Sequence, residues 1–175
     1  MSKENKKRHN LFYAIIAAPR AGKTTFLFNK FAGKEDVIFF TPHVDDKQKV
    51  VDAGFTYVNT NQIKDKEKIL EFQNMTLIFD DFTATKLKDR SGDFLYRLAA
   101  HRGHQNLDII FVSHSFSKLS PDMPQFLNLL TFGACGDRKN FEEKCPIWMS
   151  QEDIELYKKM PPYEFKTIVG NLLKD

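Results

Sequence analysis

The sequence predicts an α/β domain with a mostly parallel central sheet and helices on both faces. Three observations predict it. Short apolar runs rich in Ile, Val and Phe recur along the chain, as fully buried parallel strands do. Polar, helix-like stretches separate them, and strand–helix–strand alternation lays successive strands parallel in one sheet. The first apolar run leads into AAPRAGKTT (residues 17–25), whose Gly-Lys-Thr ending is that of a phosphate-binding loop.

The elements follow in order. The first ten residues, MSKENKKRHN, are basic and polar and read as a flexible tail. Strands are expected at LFYAIIA (11–17), VIFFT (37–41), MTLIFD (75–80), LDIIFVS (107–113) and LLTFGA (129–134), with FTYVNT (55–60) as an edge strand. Helices are expected at GKTTFLFNKF, KDKEKILEFQN, DFLYRLAAHR and PDMPQFLNLL. In the third of these, Phe94, Leu95, Leu98 and Ala99 recur three and four apart, on one helical face. From about residue 150 to 175 the chain reads as one or two short amphipathic helices interrupted by Pro161-Pro162.

Composition sets the bounds. A length of 175 residues suits one domain, here 11–175, and 42% hydrophobic with 28% charged residues is ordinary for a globular protein. No apolar run approaches the roughly 20 residues that span a bilayer, so no membrane span is expected. Cys135 and Cys145 make neither a disulfide framework nor a zinc site. The net charge of +3 tolerates a nucleic-acid partner without requiring one.

Ligands of parallel sheets bind beyond the C-terminal ends of the strands, so the loops from residues 18, 42, 80 and 113 are those to read. In the first, the backbone N–H groups around Pro19, Arg20, Ala21, Gly22, Lys23, Thr24 and Thr25 would face the phosphates of ATP at a helix N-terminus. Lys23 would pair with the β- and γ-phosphates, and the Thr24 hydroxyl would coordinate Mg²⁺. Ala17 stands where the opening glycine of this motif is usual, and alanine serves if the local φ is negative. MTLIFDDF (75–82) ends in two aspartates at the same sheet edge. This matches a Walker B element: Asp80 would hold Mg²⁺, and Asp81 would deprotonate the attacking water. There is no NKxD string for guanine, and no arginine-rich lid of the small-molecule kinases.

RLAAHRGHQNLDIIFVSHSFSKLSPDMPQFLNLLTFG (97–133) adds a helix ending in basic residues and a strand ending in Ser113-His114-Ser115. With the two acidic and phosphate-loop elements, residues 11 to 135 resemble the HerA/FtsK superfamily of P-loop ATPases. The likeness is greatest to the genome-packaging ATPases of double-jelly-roll viruses, the poxvirus type included. The resemblance implies a P-loop NTPase fold of the additional-strand (ASCE) type. It implies a polar sensor at His114, where glutamine is common, and a general base at Asp81, where glutamate is common. It also implies an arginine acting in trans within a homo-oligomeric ring, Arg102 by the family pattern or Arg97 as the alternative. His101 and His104 read as surface histidines.

The same resemblance implies an ATP-driven translocase that packages double-stranded DNA, independently of sequence, into a preformed capsid. A capsid vertex protein is then a candidate partner, and the host cytoplasm or the virion the expected location. Lys86, Lys88 and Arg90, just after the acidic pair, are candidate DNA contacts. Three other readings stay open: a plasmid-transfer, replication or phage-morphogenesis ATPase; a nucleotide-gated switch; and a small-molecule kinase.

Overall fold

The computed structural model describes residues 9–34, 36–82, 87, 93–115, 123–135 and 145–170. Seven strands form one sheet: β1 (Phe12–Ile16), β2 (Val37–Thr41), β3 (Thr56–Asn59), β4 (Thr76–Phe79), β5 (Asp108–Ser113), β6 (Leu129–Gly133) and β7 (Phe165–Val169). Their order is β3-β2-β4-β5-β1-β6-β7. The first six strands pair in parallel, and β7 runs antiparallel to β6 with Leu130 opposite Ile168. β5 thus lies between β1, which feeds the phosphate loop, and β4, which carries the aspartates. This is the expected additional-strand arrangement.

The strands form because both of their faces are apolar, as parallel strands require. All five residues of β1 are buried. Phe12, Ala14 and Ile16 face one layer, where Phe94, Leu95, Leu98 and Ala99 of α3 (Asp93–Gln105) pack with Tyr157 of α4 (Gln151–Lys159). Tyr13 and Ile15 face the other, with Leu27 and Phe31 of α1 (Lys23–Phe31) and Val50 of α2 (Lys47–Asp52). The three-and-four spacing in α3 is therefore its core face. The few polar groups inside the sheet are paired: the hydroxyls of Tyr13, Thr131 and Thr167 join at 2.6 Å across β1, β6 and β7.

Several local expectations are corrected. The stretch KDKEKILEFQN forms a 3₁₀ run, Lys66–Glu71, capped by the Asp65 carboxylate on the Glu67 N–H. Among the described residues of PDMPQFLNLL, Met123–Phe126 are helical, and they too are 3₁₀. The C-terminal stretch is one helix followed by a strand. The Ser150 hydroxyl accepts from the Asp153 N–H to start α4; Pro161-Pro162 ends it; and FKTIV closes the sheet as β7. FKTIV is a β-branched and aromatic run, and its antiparallel pairing with β6 overrides the helical reading. Residues 1–8 and 171–175 lie outside the described residues.

Leu98 is fully buried on α3, whereas Leu156 on α4 is 39% exposed. Leu98→Ala is expected to cost about 2–5 kcal/mol, and Leu156→Ala under about 0.5 kcal/mol. Urea melts of the two variants check this; equal midpoints would contradict the packing described.

Candidate functional site

α1 opens without a side-chain cap. Its N-cap is Gly22, no acidic residue stands in the first turn, and among the described residues no side-chain cap bond is made. α4, by contrast, has the Ser150 cap and two acids, Glu152 and Asp153, in its first turn. The uncapped positive end of α1 therefore faces the loop as an anion site made of backbone. Arg20 (φ 62°) and Gly22 (φ 86°) bend that loop through left-handed conformations. A Cβ at Gly22 would meet no protein atom within 4 Å, so within the protein the demand for glycine is conformational. Ala17 is not among the positive-φ residues, so alanine serves where the motif usually has glycine.

The strand ends assemble the chemistry. Lys23 is buried, and its ammonium donates to the carbonyls of Ala17 at 2.8 Å and Ala18 at 2.7 Å. It also lies 2.9 Å from Nδ1 of His114. An ammonium only donates, so Nδ1 accepts and the ring proton sits on Nε2. Nε2 is 3.2 Å from Oδ1 of Asp81. Lys23, His114 and Asp81 thus form one polar string from the ends of β1, β5 and β4. Burial pushes the Lys23 pKa down, and the charges of Asp80 and Asp81 oppose the shift.

Asp80 is buried and accepts from the Thr24 hydroxyl at 3.4 Å and from the Asp81 N–H at 3.1 Å. Burial pushes its pKa up to about 6, with the His43 charge pulling the other way. A desolvated carboxylate beside a hydroxyl is a hard oxygen pair of the kind Mg²⁺ takes, with phosphates and water filling its remaining positions. The residues present therefore fit Mg²⁺. Asp81 sits in a left-handed turn (φ 46°), which swings its carboxylate into the cavity.

The cavity, about 560 Å³, is lined by Arg20, Gly22, Lys23, Thr24, Thr25, Asp80, Asp81 and His114 among others. Pro19 lies in the turn before it, and the Ala21 N–H donates to Ala18 O at 3.3 Å. Sequence reasoning missed four further lining residues: Phe28, His43, Asp46 and Lys49. The loop from residue 42 was in view because it ends a strand, but it carries no motif that would single out His43.

Other candidates lie elsewhere. Arg102 donates to Asn10 O at 2.9 Å and to Ala99 O, and lies over the Phe12 ring. Asn10 precedes β1, so this guanidinium is committed at the sheet edge opposite the cavity, and burial pushes its pKa down. Arg97 makes a two-pronged pair with Glu67 at 2.6 and 2.7 Å on the exposed side of α3. His101 and His104 are exposed, and among the described residues no three His, Cys, Asp or Glu gather as a metal site. Lys86, Lys88 and Arg90 lie outside the described residues. Cys135 and Cys145 form no disulfide, and among the described residues no helix is long and apolar enough to cross a membrane.

The Asp80 shift has a sign. Its folded pKa, about 6, stands above the ordinary 3.8. The folded state therefore holds the proton more tightly, and the charge opposes folding as pH rises from about 3.8 to 6. The cost above pH 6 is on the order of 2–3 kcal/mol. Asp80→Asn is expected to melt at a higher temperature than the wild type at pH 7.5 without nucleotide, the difference fading near pH 4. A lower melting temperature at pH 7.5 would contradict the burial penalty.

No family model matches the sequence, and no curated protein matches it. Solved structures do match the fold. The genome packaging NTPase B204 from Sulfolobus turreted icosahedral virus 2, in complex with AMPPCP, superposes with a TM-score of 0.70 at 16% identity, over 93% of this chain and 94% of that one. The DNA-packaging ATPase B204 from Sulfolobus turreted icosahedral virus gives 0.69 at 15% identity, with the same coverage. EssC (ATPases 2 and 3) from Geobacillus thermodenitrificans gives 0.57 at 15% identity, over 77% of this chain and 34% of that one. The chain therefore has a P-loop NTPase fold of the additional-strand type, the fold implied by its resemblance to the HerA/FtsK superfamily and found in these packaging ATPases.

Proposed function

We propose that this chain is an ATP-hydrolysing motor that translocates DNA, used to package a viral or phage genome into a preformed capsid. One observation carries the ATPase part. The uncapped helix end, Lys23, Thr24, Asp80, Asp81 and His114 converge on a single cavity at the C-terminal edge of the sheet. The packaging part is supported by the fold shared with the two B204 structures, which are described as packaging enzymes.

In this reading the backbone of the loop and the N-terminus of α1 hold the phosphates. Lys23 leaves the carbonyls of Ala17 and Ala18 for the β- and γ-phosphates. Thr24 and Asp80 hold Mg²⁺, which neutralises charge on the transferring phosphoryl group when bound. Asp81 orients the attacking water and takes its proton, and His114 donates through Nε2 to the water or the γ-phosphate.

A ring would complete the site with a neighbour's arginine. Arg97 is the better candidate: its partner is the exposed side chain of Glu67, which can turn away, whereas Arg102 is held by backbone carbonyls at the opposite sheet edge. Lys86, Lys88 and Arg90 are assigned to the DNA backbone because they directly follow the acidic turn. Such contacts read no bases and weaken steeply with salt.

Steady-state ATP hydrolysis against protein concentration, with and without double-stranded DNA, tests the reading. Turnover is expected to rise more steeply than linearly with concentration and to increase with DNA. Lys23→Ala is expected to lower it by about a hundredfold or more. Turnover that is linear in protein and indifferent to DNA would favour a switch, and phosphoryl transfer to a small acceptor would favour a kinase.

A further inference from the structure

Asp81 has a second histidine beside it. His43, from the loop after β2, places Nε2 3.6 Å from Asp81 Oδ2, while His114 faces Oδ1. At that separation the contact is an ion-pair distance and longer than a hydrogen bond. The His43 backbone is fixed. Its N–H donates to the Thr41 hydroxyl at 3.2 Å, and it is the extended N-cap of the 3₁₀ turn Val44–Asp46. Its side chain is 52% exposed and lines the cavity with Asp46 and Lys49. A half-exposed pair of this kind adds little to folding, so its placement calls for another explanation.

The polar string supplies one. Lys23 engages His114, and His114 engages Asp81. A γ-phosphate is a stronger partner for both Lys23 and His114 than their present ones, because it offers several charged acceptor oxygens. Once both turn to phosphate, Asp81 keeps a neighbour on the Oδ2 side. Asp81 is also one methylene shorter than glutamate and sits on a left-handed turn, so its aim depends on such a neighbour.

We propose that His43 is a positioning residue for hydrolysis, holding the Asp81 carboxylate in aim after the nucleotide has drawn Lys23 and His114 away. This rests on the ATPase reading above. In this reading His43 acts through Asp81 and not on the phosphate itself. Its loss therefore lowers the rate of the chemical step and leaves ATP binding intact.

The test is steady-state hydrolysis of Mg²⁺–ATP by the full chain with double-stranded DNA present, using wild type, Lys23→Ala, His43→Ala and His43→Gln. His43→Ala is expected to lower kcat by about ten- to a hundredfold, as misaimed catalytic groups do, with KM for ATP and the melting temperature near wild type. His43→Gln restores a donor on the same side and is expected to recover most of the loss. An unchanged kcat in His43→Ala, or a change confined to KM, would overturn the proposal while wild-type turnover sensitive to Lys23→Ala upholds the ATPase reading. Absence of turnover in the wild type would overturn both.

Discussion

The insertion of β5 between β1 and β4 is the constraint on which the site depends. Neighbouring strands lie about 4.8 Å apart, so the phosphate loop and the acidic turn leave the sheet roughly two spacings from each other. That gap admits a phosphate and a water between lysine and base. It also needs a polar group in the middle, and the register brings the residue that follows β5 there. His114 fills that place, touching Lys23 on one side and Asp81 on the other.

Such a site conflicts with folding. Lys23 and Asp80 are buried charges, each shifted toward its neutral form, and neither contributes to the core. The protein reduces the conflict by folding Lys23 back onto two carbonyls and by lending Asp80 a hydroxyl and an N–H. In the proposed ATPase these stand in for phosphate and metal, and they are weaker than what would replace them. Binding of both would relieve the burial penalties together, which ties ligand affinity to the stability of the scaffold.

Much of this was legible in the sequence, for physical reasons. The parallel strands announce themselves because both faces are apolar, and the loops after β1 and β4 because phosphate and metal tolerate few residue types. β7 was misread because five residues with three apolar positions carry little periodicity, and pairing with β6 decides their state. Where Arg102 would lie was hidden, because sequence shows that a helix ends in arginine and not which sheet edge that end reaches. His43 was passed over because its role comes from a contact between loops that are distant in the chain.

The sheet's two ends carry a last consequence. β3 is four residues long, and β7 presents Lys166 and Thr167 as exposed residues along an outermost strand. Short borders bearing lysine make poor templates for continuing a ladder of backbone hydrogen bonds. Copies of this chain are thereby discouraged from fusing sheet to sheet, a union too stable to be broken and remade. In the proposed ring, association would be left to helix and loop surfaces, whose contacts can be exchanged at each cycle.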